Sequence, residues 1–273
     1  MERLLKQKHD ALRNRLSKGG GVAVAFSGGT DSALLLAVAA DVRGGSALAV
    51  RALTPAQPAG PGADPREFCR QRGIALEEFP LEEQDIPGFL RNTPDRCYLC
   101  KRHLFERAWA IARSRGFGRL CDGSNADDAR EDRPGNRAVA ELKVETPLAD
   151  CGFSKVDVRE LSRALGLPTA EQPSAPCLYT RFPTGQALQP ERLGAIAAAE
   201  ELLRQEGFDT VRVRAEGTGA RIEVRADQVS RLMDGPLFGA LEAQLLSLGF
   251  TAVAADPRGY RLGGAGQAPD QPQ

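Results

Sequence analysis

GVAVAFSGGTDSALLLAVAADV, residues 21–42, decides how the chain is read. The β-branched and aromatic run Val22–Phe26 stops at Ser27-Gly28-Gly29, and from Thr30 onward the apolar residues recur at helical spacing. That order is strand, tight turn, helix. The exposed amides at such a handover, together with the positive end of the helix dipole, form an anion site, and glycines let a phosphate approach the backbone. The lysine-bearing Walker A spacing is absent, and so is G-x-G-x-x-G. The competing reading is a Gly-rich turn in which Asp31 and Ser32 only cap the helix.

Outward from this turn the same grammar repeats. SALAVRAL (46–53), IALEEFPL (74–81) and RLCDGS (119–124) read as strands, while DPREFCRQRG (64–73), the amphipathic 98–118 segment and DVRELSRALGLP (157–168) read as helices. Alternation of this kind predicts an α/β fold, a parallel sheet with helices on both faces and ligands at the carboxyl ends of its strands. After residue 185 the order becomes helix 191–207, strand 209–216, strand 220–226, helix 227–249 and strand 251–256, which predicts a small C-terminal α+β domain with an antiparallel pair. The expected organisation is therefore 1–185, 186–262 and a disordered tail at 263–273. The charged segment 1–20, with Leu4, Leu5, Leu12 and Leu16, reads as a surface helix and lacks the apolar stretch of a secretory signal.

Composition narrows the function. Lys+Arg and Asp+Glu are equal at 36 each in 273 residues, so no global field draws the chain to nucleic acid or to an anionic membrane. The longest apolar run, ALLLAVAA at 33–40, is too short to cross a bilayer. A cytoplasmic protein is expected, and there the six cysteines (69, 97, 100, 121, 151 and 177) are buried thiols, metal ligands or catalysts rather than a disulfide framework.

Three further stretches carry chemistry. CDGSNADDAREDRPGNR (121–137) leaves a strand end; Asn125, Asp127 and Asp128 there are either cap residues or oxygen ligands for Mg²⁺ or a ribose. PSAPCLYTRFPTG (173–185) holds Cys177 after Pro176, with Arg181 placed to favour a thiolate and hold a phosphate. Arg212 and Arg214, at i and i+2 of a strand, share one face and suit an anionic substrate, or are simply solvated. Cys97 and Cys100, near a helix start, leave a metal site, a redox pair and plain packing open. Zinc with His103 as a further ligand is disfavoured, because His103 lies about 120° around and about 9 Å along the helix from Cys97.

The turn at 27–32 resembles the S-G-G-x-D-S PP-loop of ATP pyrophosphatases, the adenine nucleotide alpha hydrolase-like fold. That resemblance implies that Ser27, Gly28, Gly29 and Ser32 hold the pyrophosphate of ATP and that Asp31 helps hold Mg²⁺, with Asn125 and Asp128 at the nucleotide's rim. SGGTDSALL, RCYLCKRHLF, DGSNADD, RPGNRA, SAPCLYTRFPTG and VRVRAEGTGARIEV follow the order and spacing of LarE-type ATP-dependent sulfur transferases of nickel-pincer nucleotide cofactor synthesis, a resemblance running over about residues 5–260. It implies adenylation of a carboxylate of pyridinium-3,5-biscarboxylic acid mononucleotide and displacement of AMP by sulfur, with Cys177 catalytic. Thr180, Arg181, Glu200 or Glu201, Arg212 and Arg214 would then bind substrate. The extra pair Cys97 and Cys100 implies the form in which these two and Cys177 hold a [4Fe–4S] cluster. The other form sacrifices the sulfur of Cys177 and leaves dehydroalanine. The resemblance also implies a homo-oligomer, possible as a hexamer. The remaining rivals are a tRNA thiolase, disfavoured by the balanced charge, an ATP-dependent amide synthetase, and a nucleotide-binding module without catalysis.

Overall fold

In the computed structural model, which describes residues 3–58, 62–130 and 134–261, the decisive stretch is β1 (Val22–Ala25), a turn and α2 (Thr30–Arg43), preceded by α1 (Arg3–Ser17). There follow β2 (Ala47–Leu53), α3 (Pro65–Gln71), β3 (Ala75–Pro80), α4 (Arg96–Ser114), β4 (Arg119–Asp122), α5 (Ala126–Arg130), α6 (Pro134–Glu141), α7 (Pro147–Asp150) and α8 (Lys155–Ala164). The four strands form one parallel sheet in the order β3-β2-β1-β4.

Both faces of this sheet are buried, as a parallel sheet requires. Val22, Val24, Ala47, Ala49 and Cys121 share a core with Leu12 and Leu16 of α1, Leu34 and Leu35 of α2, and Val158 and Leu161 of α8. The alternate residues Ala23, Leu48, Val50 and Leu120 are equally buried on the other side, where α4 packs on β1, β2 and β4 and α6 packs on α4. Each such leucine contributes roughly 1.5–3 kcal/mol by leaving water. The segment read from sequence as a surface helix is in fact half core, since Leu12 and Leu16 are 0% exposed while Leu4 is 60% exposed. Its charges lie on the opposite stripe.

Strand order reverses at β1. The chain moves from β1 outward to β2 and β3, then returns to add β4 on the other side. The loops leaving β1 and β4 therefore diverge, and the crevice between them is where open α/β sheets bind ligands.

The chain divides into two compact units. The second comprises Pro176 onward, Leu90–Pro94 and the stretch that starts at Pro55. Backbone bonds explain why Cys177 belongs to it, ahead of the change of grammar read after residue 185: Leu178 N–H donates to Ala56 O, Gly185 N–H to Asn92 O and Leu188 N–H to Leu90 O. This unit contains α9 (Leu193–Gln205), β5 (Val211–Glu216), β6 (Gly219–Val224), α10 (Val229–Leu232), α11 (Gly235–Ser247) and β7 (Val253–Ala255). β5 and β6 are antiparallel, with Arg212 opposite Glu223, and β7 adds parallel to β6. The single helix expected over 227–249 is broken before Gly235-Pro236, where proline cannot continue the preceding turn. The expected tail at 263–273 and Arg133 of the RPGNRA stretch lie outside the described residues. No helix among the described residues is long and apolar enough to cross a membrane.

Candidate functional site

The β1–α2 turn is built around its serines. Ser27 Oγ lies 3.0 Å from Ser32 Oγ and accepts from the Gly29 amide at 3.3 Å, while Ser32 Oγ donates to Gly29 O at 3.1 Å. Gly28 has φ +82, and a Cβ there would meet Pro65 Cγ at 2.7 Å. Only glycine fits both the backbone and the space. The amides of the first turn of α2 have no partner within the helix, so the loop presents donors to an anion. Thr30 fixes the other flank through Oγ1, which donates to Thr169 O at 2.9 Å.

Asp31, at the same helix start, is held from two sides. Asn125 Nδ2 donates to its Oδ1 at 3.2 Å, and Lys155 Nζ forms an ion pair with Oδ2. The 3%-exposed Asn125 also accepts from the amides of Asp127 and Asp128 through Oδ1, at 2.9 and 3.2 Å. Asp128 returns the bond, its Oδ2 accepting from Asn125 N–H at 3.2 Å, and Asp127 Oδ2 accepts from Lys155 N–H at 2.8 Å. The structure thus brings Ser27, Gly28, Gly29, Asp31, Ser32 and Asn125 together, and it gives Asn125, Asp127 and Asp128 capping bonds. Lys155 escaped the sequence reading. Its signal was the FSKVD stretch, a Ser154/Asp157 capping box that starts α8 at Lys155.

Cys97 is exposed and Cys100 half-buried on the first turns of α4. Arg96 Nη2 reaches Cys97 Sγ at 3.9 Å. By contrast, burial pushes the Cys69 thiol up to about 11 and the Cys121 thiol up to about 12, and Cys151 moves in the same direction. Burial therefore disfavours the thiolate at all three. Among the described residues no group of three or more His, Cys, Asp or Glu side chains is gathered as a metal site; Cys97 and Cys100 belong to the first unit and Cys177 to the second.

In the second unit, Cys177 is exposed on a turn tied to two buried arginines. Thr180 donates to Cys177 O through both N–H (3.0 Å) and Oγ1 (2.7 Å). Arg181 Nη1 donates to Thr180 Oγ1 at 2.9 Å, and Arg214 Nη1 to Thr180 O at 2.8 Å. Arg181 pairs with Glu200 through Nε at 2.6 Å and Nη2 at 2.9 Å. Glu200 is 0% exposed, whereas Glu201 points outward to Arg204, so Glu200 is the acidic residue of this cluster. Arg214 pairs with Glu223, which the sequence reading missed; the cross-strand register of Arg212 with Glu223 was the available signal.

Arg212 differs from its neighbours. It lies over the Tyr260 ring at 5.1 Å and donates to Val211 O at 2.7 Å, and among the described residues no carboxylate pairs with it. Burial, and then the nearby Arg181 charge, lower its pKa from the usual arginine range. An anion placed there would relieve both penalties.

No family model matches the chain. It is 36% identical over 260 residues to an uncharacterized protein of Synechocystis sp., covering 95% of this chain and 97% of that one. It is 30% identical over 237 residues to an uncharacterized protein of Methanocaldococcus jannaschii, covering 86% of this chain and 88% of the other. Against the pyridinium-3,5-bisthiocarboxylic acid mononucleotide synthase of Lactiplantibacillus plantarum the identity is 34% over 244 residues, 89% of this chain and 87% of that enzyme. With 34% identity over 89% of its length to that synthase, the chain belongs to the LarE-type sulfur transferases and is an enzyme.

Proposed function

We propose that this enzyme converts a carboxylate of pyridinium-3,5-biscarboxylic acid mononucleotide to a thiocarboxylate at the expense of ATP. A carboxylate oxygen attacks the α-phosphorus, the bond to the bridging oxygen breaks and pyrophosphate leaves. A sulfur nucleophile then attacks the acyl carbon and AMP departs with the bonding pair. Adenylation is needed because a carboxylate is otherwise a poor electrophile.

The residues divide the work. The glycine turn with Ser27 and Ser32 would hold the pyrophosphate, and Asp31, a half-buried carboxylate at a helix start, offers the hard oxygen that Mg²⁺ prefers. Arg212, which among the described residues lacks a carboxylate partner, would take an anionic group of the substrate, while Arg181 and Arg214 keep the Cys177 turn in place. Cys97 and Cys177 are exposed and Cys100 is half-buried, and three such thiols are a donor set that fits three-thiolate ligation of a [4Fe–4S] cluster. Those three thiols would hold the cluster, and it would supply the sulfur for transfer. The setting proposed is cytoplasmic, in a homo-oligomer, with no nucleic-acid partner.

The observation that carries this reading is the Cys177 turn, clamped by two paired arginines next to a third, Arg212, that has no carboxylate partner among the described residues. The test is to incubate the full chain with ATP, Mg²⁺ and the biscarboxylate and to follow pyrophosphate and product mass together. Substrate-dependent pyrophosphate release with exchange of one oxygen for sulfur supports it. Pyrophosphate without sulfur incorporation, undiminished in Cys177→Ala, would assign the chain to amide or other adenylating chemistry.

A further inference from the structure

The cysteine-bearing end of α4 is tied to the glycine turn by one side chain. Lys101 Nζ donates to Asp122 Oδ2 at 3.1 Å, and the same oxygen accepts from Ser124 Oγ at 2.9 Å. Asp122 is the last residue of β4. Its neighbour Gly123 packs so tightly on the first turn of α2 that a Cβ would stand 2.8 Å from Ser32 N. The lysine stem is also confined, since a Cβ on Gly135 would meet Lys101 Cδ at 2.9 Å, and the ammonium lies 5.6 Å from the Phe105 ring centroid.

Cys97 and Lys101 are i and i+4 on α4 and so share a face, with Cys97 about 6 Å nearer the helix start. Lys101 reaches the carboxyl end of β4 through its ammonium, and Cys97 stands one helical turn nearer the start of α4. Cys100, which precedes Lys101 in the chain, is carried by the same turn. A run of contacts thus leads from Ser32 through Gly123 and Asp122 to Lys101, on the helix turns that carry the two thiols, all within the first unit.

We propose that Lys101 is a positioning residue that sets the Cys97/Cys100 pair in register with the nucleotide loop. The inference rests on the sulfur-transfer reading for the purpose of the pair, while the link itself is testable without it. Loss of the link misplaces the thiols and leaves ATP binding intact, and small misplacements of reacting groups cost large factors in rate.

The experiment compares wild type, Lys101→Met, Lys101→Arg, Asp122→Asn and the Lys101→Met/Asp122→Asn double variant in the full chain. Thiocarboxylate formation in Lys101→Met is expected to fall in kcat by about tenfold or more with KM for ATP within about twofold. Lys101→Arg recovers most of that loss, and the double variant is no worse than the single one because both remove the same link. Equal loss in kcat and ATP affinity, no rescue by arginine, or additive effects would overturn the proposal. A second readout, in protein freed of iron by a chelator, is iodoacetamide labelling of Cys97 and Cys100 with and without ATP. ATP should change the labelling rate in wild type by several-fold and in Lys101→Met by less than about twofold. An equal ATP response in both proteins, or none in wild type, would refute the link. A wild type that makes no thiocarboxylate yet shows the ATP-sensitive, Lys101-dependent labelling would sink the sulfur-transfer reading and leave the link standing.

Discussion

Arg181 and Glu200 meet as a two-pronged pair, with side chains 1% and 0% exposed. Glu200 Oε1 also accepts from the Val213 amide at 3.1 Å, and Oε2 from Arg204 Nη2 at 3.1 Å. The carboxylate therefore joins α9, β5 and the turn that carries Cys177. Glu200→Gln leaves the Arg181 charge buried without its counter-ion, which costs about 3–5 kcal/mol. Urea denaturation should show that loss, and Glu201→Gln should stay within about 0.5 kcal/mol of wild type. Equal effects at the two positions would contradict the assignment of Glu200 to the cluster.

Arg212 trades stability for binding. Its burial and its proximity to Arg181 both oppose its charge, so Arg212→Met is expected to leave the free protein as stable as wild type, or about 1 kcal/mol more stable. The same change should raise KM for the anionic substrate by about tenfold or more, the worth of one charge-assisted contact. A variant that is clearly destabilised and has an unchanged KM would show the arginine to be structural.

The two glycines of the turn separate fold from binding. Gly28→Ala combines a left-handed backbone with a contact to Pro65, and the backbone strain alone costs about 1–3 kcal/mol. A Cβ on Gly29 meets Ser27 Oγ at 3.4 Å, so Gly29→Ala should keep its melting temperature and report only on how closely an anion approaches. Calorimetric ATP titrations and thermal melts of the two variants check the distinction. Matching losses of stability would refute it.

A buried acid gives the protein a pH signature. Glu83 is 2% exposed, accepts a bond from the Thr54 hydroxyl, and burial raises its pKa from 4.5. The fold prefers its neutral form, so the contribution is complete below pH 4.5 and is lost as pH rises through the folded value. Glu83→Gln is neutral at every pH. Relative to that variant, wild type should lose stability as pH climbs above 4.5, as measured by urea melts at a series of pH values. A difference that does not vary with pH would mean that Glu83 does not titrate in a buried site.

Much of the first unit was legible in the sequence because its signals are local. Periodicity and the glycines marked β1, the turn and α2, and the repeat of that grammar specified a parallel sheet. The core role of Leu12 and Leu16 was less visible, since it depends on α2 and α8 arriving from elsewhere in the chain. Lys155, Lys101 and Glu223 went unread for the same reason. Each acts through a partner on another element, Asp31, Asp122 and Arg214 respectively, and a charged residue on a helix or strand gives no hint by itself of which residue it will meet. The choice between Glu200 and Glu201 needed the helix phase against β5, which puts one inward and its neighbour out.

The central claim is that sulfur reaches the activated carboxylate by way of Cys97, Cys100 and Cys177. Anaerobic purification, followed by iron and labile-sulfide assays and whole-protein mass before and after turnover, tests it most directly. The account predicts about four irons and about four sulfides per chain in wild type, lost in Cys97→Ala, Cys100→Ala and Cys177→Ala, with the polypeptide mass unchanged by turnover. Iron-free protein that still transfers sulfur, and that loses one sulfur mass from Cys177 per product formed, would contradict it.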